Sequence, residues 1–373
     1  MLTSFAKLYR QGFSQAYLNA ESYLASFERA NPTRTEQLER MKAVVMSVPG
    51  GPEVLQLQEV PEPQIRGERE LRIRLKAAGV NPIDTKLRRR GTFYPEEMPA
   101  ILGCDGAGVV EAVGSGVRHF TVGDEVYFCH GGLGKQAGNY AELIVVDERF
   151  VAPKPRTLSF AEAAAAPLVL ITAWEALYDR GRLQAGQSVL IHGGAGGVGH
   201  VAIQLARLRG SKVATTVSTP EKAVFVRSLG ADLPIFYRQT DFVRAVLDWT
   251  GGEGVDLALD TLGGAILEQT FPAVRVYGDI VTLLAPAPET DWRVARDRNL
   301  RVGFELMLTP MLKNLTNAQQ NQAEILRQCG RLIDQGQLRI QLSHTFPLAE
   351  AAAAHRLLEQ GSVLGKIALT IPE

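Results

Sequence analysis

Net charge is missing from this chain of 373 residues: 40 basic side chains balance 40 acidic ones. Phosphate contacts that release counterions need a cationic excess, so nucleic-acid binding is excluded as the main role. Cysteine is scarce. Cys104, Cys129 and Cys329 cannot build a disulfide framework and fit a reducing compartment. Long apolar runs are also missing. No uncharged stretch reaches the roughly 18 residues of a membrane span. The longest, Ala163–Trp174, is interrupted by Pro167. The N-terminus has no compact apolar core of the kind found in a secretory signal. The first twenty residues carry Lys7, Arg10 and no acid, a charge pattern shared with organelle transit peptides. The acids begin at Glu21 and the helical pattern runs past it, so a cytoplasmic location is expected.

Hydrophobic residues make up 46% and charged residues 21%, a globular composition, and the length suits two domains. Residues 1–40 stand apart. Leu2, Phe5, Tyr9, Phe13, Tyr17, Leu24 and Phe27 fall mostly three or four apart and predict a helix with one apolar stripe, stopped at Asn31-Pro32. The opposite face is not strongly basic, which favours packing over membrane-surface docking. From Met41 to about Pro155 short strands alternate with Gly and Pro turns, an irregular barrel. Leu71, Ile73 and Leu75 alternate with Arg72, Arg74 and Lys76, as in a half-buried strand. From Ser159 strands and helices alternate at the rhythm of a doubly wound parallel sheet. The predicted strands include 188–192, 212–216, 233–236, 255–260 and 279–284, with a helix over 264–274. A last strand, 366–371, is expected to return to the first domain. The basic runs Lys86/Arg88/Arg89/Arg90 and Arg293/Arg296/Arg298/Arg301 read as solvated faces.

Glycine is abundant, at 36 residues. The strand Ser188–His192 runs into Gly193-Gly194-Ala195-Gly196-Gly197-Val198-Gly199, where Gly194, Gly196 and Gly199 satisfy G-x-G-x-x-G before an amphipathic helix. That context marks a dinucleotide-binding turn. Glycine lets backbone N–H groups reach a pyrophosphate, and the helix N-terminus supplies free donors and positive potential. An NAD site would place an acid at the end of the next strand. Here Ser218 stands there, followed by Thr219, Pro220 and, one turn on, Lys222. A hydroxyl and an ammonium suit a 2′-phosphate, so NADPH is the expected cofactor. Ser218 or Thr219 also suits a helix N-cap, with Pro220 at the first helical position.

Several further segments accompany the glycine turn: Ala78-Gly-Val-Asn-Pro-Ile-Asp-Thr85, Gly103–Gly114, Val122-Gly-Asp-Glu-Val126, Leu229-Gly-Ala-Asp232, Val255–Thr261 and Gly365-Lys366. On these the sequence resembles the zinc-independent branch of the medium-chain dehydrogenase/reductase superfamily, the quinone oxidoreductase (zeta-crystallin-like) enzymes, from Met41 to Glu373. The resemblance implies an α/β chain with a GroES-like barrel over 41–165 and 308–373. A Rossmann domain would span 166–307, with the site in the cleft between the two, and residues 1–40 would be an extension. It further implies that Asn81 and Thr172 lie by the nicotinamide end and that Gly194, Gly196, Gly197, Val198 and Gly199 hold the pyrophosphate. Ser218, Lys222 and Tyr237 would surround the 2′-phosphate end. Thr261, Leu283 and Leu284 follow strands at the ligand-binding edge, and Gly365 and Lys366 complete the cofactor cleft.

Metal ligands are lacking by the same resemblance. Asn81 and Cys104 stand where the alcohol dehydrogenases carry a Cys and a His for catalytic zinc, and no third Cys appears around Thr172–Trp174. The structural-zinc region has only Cys129. A site built from Cys104, Asp105 and His130 would be a coincidence. Without a Lewis acid, the chemistry expected is hydride delivery to a quinone or an α,β-unsaturated carbonyl. Tyr94 is a candidate proton donor or pocket aromatic, His130 a weaker one, and water a further proton source. No Tyr-x-x-x-Lys pair supports a short-chain reductase mechanism. The alternatives are a zinc-type alcohol or aldehyde reductase and a cofactor-binding protein with a structural or regulatory role. A homodimer through the stretch 299–307 is the expected assembly.

Overall fold

The structure is a computed structural model, and it describes residues 39–372. The helix expected over the first thirty residues lies outside them.

The first half of the described chain is strand-rich. It contains β1 (Arg40–Met46), β2 (Leu55–Pro61), β3 (Glu70–Val80), β4 (Ala100–Ile101), β5 (Asp105–Val113), β6 (Glu125–Cys129), β7 (Leu143–Asp147) and β8 (Ala152–Pro153). β3 is its axis, pairing antiparallel with β5 on one side along nearly its whole length, and also with β7. The expected alternation holds: Leu71, Ile73 and Leu75 are buried while Arg72, Arg74 and Lys76 are partly exposed.

The second half carries β9 (Ser188–Ile191), β10 (Lys212–Val217), β11 (Leu233–Phe236), β12 (Val255–Asp260), β13 (Val274–Thr282) and β14 (Arg301–Phe304). They form one parallel sheet in the order β11-β10-β9-β12-β13-β14. The order reverses direction at β9, and ligands of open sheets bind at such a switch point, beyond the carboxyl ends of the strands. The chain then forms β15 (Leu342–Pro347) and β16 (Lys366–Thr370), and β16 pairs antiparallel with β3, as the sequence suggested. This return brings Gly365 against the first turn of the parallel sheet, where its N–H donates to the Ala195 carbonyl at 2.9 Å.

Three expectations are corrected. Residues 82–90 form a helix, Pro82–Arg90, inside the region read as all strand. Asn81 caps it in extended backbone, Pro82 takes the first helical position, and Asp84 accepts from the Asn81 N–H at 2.8 Å. In the basic run on this helix Arg89 and Arg90 are exposed, as expected, but Arg88 is not part of a solvated face. Arg88 is 1% exposed and pairs with Glu359 at 2.8 Å, because its side of the helix packs on the helix Ala351–Glu359. Finally, the helix expected over 264–274 ends at Thr270, and β13 begins at Val274. The β-branched Val274 and Val276 pattern belongs to that strand, whose path is broken by Tyr277 at φ 60.

Candidate active site

The glycine turn leaves β9 at Ile191. Gly193, at φ 69, donates its N–H to Thr216 Oγ1 at 2.9 Å, and Gly196 donates to the Gly193 carbonyl at 2.9 Å. The helix Gly197–Leu208 starts at once. The three fingerprint glycines serve different ends. A Cβ at Gly194 would lie 2.1 Å from Thr215 Oγ1, and one at Gly199 would lie 2.3 Å from the Gly193 carbonyl oxygen. These two are fixed by close packing of turn, strand and helix. A Cβ at Gly196 would meet only the Gly193 oxygen, at 3.2 Å, and would otherwise stand in the space beside the turn. That space is a cavity of about 280 Å³.

The turn supplies one wall of the cavity through Gly196, Gly197, Val198 and Gly199. Thr261, Leu283 and Leu284, beyond the ends of β12 and β13, supply another. Thr261 is held by donating to the His192 carbonyl at 2.8 Å. Asp260 ties the turn after β12, accepting from the N–H groups of Leu262 and Gly263 and from Thr282 Oγ1. The rest of the lining comes from Asn81 and Lys86, from Thr172 on the helix Pro167–Trp174, and from Gly365 and Lys366 at the start of β16, which abut the turn. Eleven of the residues singled out in the sequence therefore line one cavity: Asn81, Thr172, Gly196, Gly197, Val198, Gly199, Thr261, Leu283, Leu284, Gly365 and Lys366.

The others lie elsewhere. Gly194 is buried behind the turn. Ser218 and Lys222 sit past the carboxyl end of β10, where Thr219 Oγ1 caps the helix Pro220–Ser228 by accepting from the Lys222 N–H at 3.3 Å. Tyr237 follows β11 and is 49% exposed. Tyr94 borders a second, smaller hollow with Met311 and Asn314, and its hydroxyl donates to the Leu312 carbonyl at 3.4 Å. His130 is buried and stacked on Phe150, and burial pulls its pKa down to about 4.

Beneath the cavity lies a buried polar cluster that the sequence did not reveal. Asn81 Nδ2 donates to Asp105 Oδ2 at 2.9 Å, and the other oxygen of Asp105 accepts from the Leu168 N–H at 2.9 Å. Lys366 Nζ donates to Asn81 Oδ1 and to the Val80 carbonyl. Asp84 accepts from the Asn81 backbone and from the Tyr140 hydroxyl at 3.1 Å. The Tyr140 oxygen is 3.1 Å from His355 Nε2. Burial raises Asp84 to about 7 and Asp105 to about 6, with Lys366 opposing the rise at both. Burial pushes Lys366 down, and the two carboxylates oppose that. Asp84 lies within Ala78–Thr85 and Asp105 within Gly103–Gly114, where each is visible in the sequence only as an isolated acid. Such a signal does not say what the acid faces.

A glycine-rich strand-turn-helix unit at a sheet switch point, opening on an apolar cavity with a few buried polar groups, is the arrangement of a dinucleotide-dependent oxidoreductase. Comparison with known proteins narrows the class. Residues 67–156 match the family model described as alcohol dehydrogenase GroES-like domain, and residues 229–369 the one described as zinc-binding dehydrogenase. A quinone oxidoreductase of Pseudomonas aeruginosa is 35% identical over 329 residues, covering 88% of this chain and 99% of the relative. A chloroplastic NADPH-dependent alkenal/one oxidoreductase of Arabidopsis thaliana is 34% identical over 338 residues, covering 88% and 78%. A mycobacterial structure complexed with NADPH superposes with a TM-score of 0.78 at 31% identity, covering 88% of this chain and 100% of that one. The chain belongs to the medium-chain dehydrogenase/reductase superfamily and, within it, to the quinone oxidoreductase family.

One matched family model is named for zinc, but the side chains at the corresponding positions are engaged otherwise. An ammonium already holds Asn81 Oδ1. The Cys104 thiol is engaged with a carboxylate, donating to Asp84 Oδ1 at 3.9 Å. Among the described residues, no three His, Cys, Asp or Glu side chains are grouped to hold a metal. The residues present do not fit a zinc ion.

Proposed function

We propose that the protein is an NADPH-dependent reductase that reduces quinones or α,β-unsaturated carbonyl compounds without a metal. The observation that carries this reading is one cavity lined both by the glycine turn and by Asn81, Thr172 and Lys366. The relatives named as quinone and alkenal/one oxidoreductases, and the NADPH complex, support it.

NADPH, when bound, supplies the hydride. The residues of the chain bind and orient. The N–H groups at the start of the helix Gly197–Leu208 and the gap at Gly196 receive the pyrophosphate. Ser218 and Lys222, with Tyr237 beside them, receive the 2′-phosphate, and position 218 carries a hydroxyl in place of an acid. Asn81 and Thr172 hold the nicotinamide end, and Asn81 also touches the acceptor. The apolar walls exclude water and suit a flat, electrophilic acceptor. Water supplies the closing proton, since the Tyr94 hydroxyl is engaged with Leu312.

We also take 41–165 with 308–373 as the barrel domain and 166–307 as the cofactor domain. The pairing of β16 with β3 supports this division. A homodimer is supported by β14, an edge strand whose Phe304 is 57% exposed. NADPH oxidation with quinones and enals as acceptors tests the reading. Cofactor binding with no acceptor reduced would favour a binding protein instead.

A further inference from the structure

The floor of the cavity holds a cation that the turn and the apolar walls do not require. Lys366 is 3% exposed, and its Nζ donates to the Val80 carbonyl at 3.2 Å and to Asn81 Oδ1. Burying an ammonium is costly unless it is paired. The ladder between β16 and β3 is made by backbone groups and does not need this charge.

The effect of the cation falls on Asn81. An ammonium only donates and an ionised carboxylate only accepts. Lys366 on one side and Asp105 on the other therefore permit a single orientation of the Asn81 amide, with Oδ1 toward Lys366 and Nδ2 toward Asp105. Asp105 takes one of the two Nδ2 hydrogens, no other hydrogen bond uses the second, and Asn81, fully buried, borders the cavity floor. The ammonium on Oδ1 also draws electron density from the amide and strengthens that second N–H as a donor.

We propose that Lys366 is the positioning residue of this reaction centre: by clamping Asn81 Oδ1 opposite Asp105, it commits the remaining Asn81 N–H to the carbonyl oxygen of a quinone or enone. This rests on the reductase reading and deepens it, because it names the acceptor atom the site recognises. As the hydride's electron pair forms the new C–H bond, the π electrons of the acceptor move onto that oxygen. The Asn81 N–H stabilises the charge there until a proton from water completes the reduction.

A double-mutant cycle between Lys366→Met and Asn81→Ala tests the clamp, read by NADPH oxidation with a naphthoquinone and by NADPH affinity from cofactor fluorescence. Lys366→Met should lower kcat roughly 10- to 100-fold with NADPH affinity unchanged, the usual range for a supporting residue. In the Asn81→Ala background the same change should cost little more. Lys366→Gln, which keeps a neutral donor to Oδ1, should fall between wild type and Lys366→Met, and it serves the cycle where the methionine variant does not fold. A second readout needs no turnover: the absorbance titration of bound p-nitrophenol in the presence of NADP⁺. The wild-type protein should lower the phenol's pKa, and either substitution should abolish that shift. Additive losses of kcat, or weakened NADPH binding with kcat intact, would overturn the proposal, the latter making Lys366 a cofactor ligand. A wild-type protein that reduces no acceptor removes the reductase reading. The phenol titration still decides the clamp, which fails if the shift survives in the variants.

Discussion

The carboxylate of Asp105 holds the cavity floor together by accepting from Asn81 Nδ2 and from the Leu168 N–H, each at 2.9 Å. One buried acid thus links β5, the cap of the helix Pro82–Arg90 and the first turn of the helix Pro167–Trp174. Asp105→Asn removes the charge that balances Lys366 and leaves the ammonium buried without its full partner. We expect a loss of about 3 kcal/mol, the scale for breaking one side of a buried pair. Urea unfolding read against wild type, with the m-value unchanged, measures it. A midpoint equal to wild type would show that Asp105 does not balance Lys366.

The two kinds of fingerprint glycine separate experimentally. Gly199→Ala drives a methyl to 2.3 Å from the Gly193 carbonyl and should cost about 2 kcal/mol of stability. Gly196→Ala meets little of the protein and should leave the thermal midpoint nearly unchanged while weakening NADPH binding at least about tenfold. Thermal unfolding and cofactor fluorescence on both variants check the pair. Full cofactor affinity in Gly196→Ala would place the pyrophosphate elsewhere.

Cofactor choice rests on Ser218 and Lys222. Lys222→Ala should weaken NADPH by about 1.5 kcal/mol, roughly tenfold, by removing one charge-assisted contact, and should leave NADH nearly unchanged. Fluorescence titrations with both cofactors decide it. NADH binding as tightly as NADPH in the wild-type protein would contradict the assignment.

A second pair of acids lies beside the cavity. Burial and the adjacent Glu305 push the Glu175 pKa up, while Glu305 itself is paired with Arg180 at 2.9 Å. The folded protein therefore keeps a proton on Glu175 that the unfolded chain releases near its ordinary value of 4.5. Protons bound in excess by the folded state mean that stability falls as pH rises above that value. Glu175→Gln keeps a donor toward Glu305 and has no such proton. We expect variant and wild type to match at about pH 4 and the variant to be more stable at about pH 8, by urea midpoints at the two pH values. Parallel profiles would refute the shared proton.

Sequence reading reached the parallel sheet and its phosphate turn because both are written locally. Apolar strands such as Val189–Ile191, a glycine fingerprint and a capping Thr219-Pro220 each declare themselves within a few residues. The return of β16 and the cavity wall of Thr261, Leu283 and Leu284 were legible through the same order of elements. What stayed hidden was set by distant partners. The resemblance places Lys366 in the cofactor cleft, and only the fold brings its ammonium onto Asn81, 285 positions away. Arg88 read as solvated because Glu359 is equally remote in sequence. The start of β13 at Val274 was absorbed into the preceding helix because Phe271–Ala273 continues as a short 3-10 turn.

Hydride transfer itself tests the central claim most directly. NADPH deuterated at the transferable position, given with a naphthoquinone or an enal to chelator-treated protein, should be oxidised with a primary isotope effect, and with an enal the product should carry the deuterium on carbon. NADPH that binds and is not oxidised by either acceptor class, or activity that disappears on chelation and returns with zinc, would contradict the account.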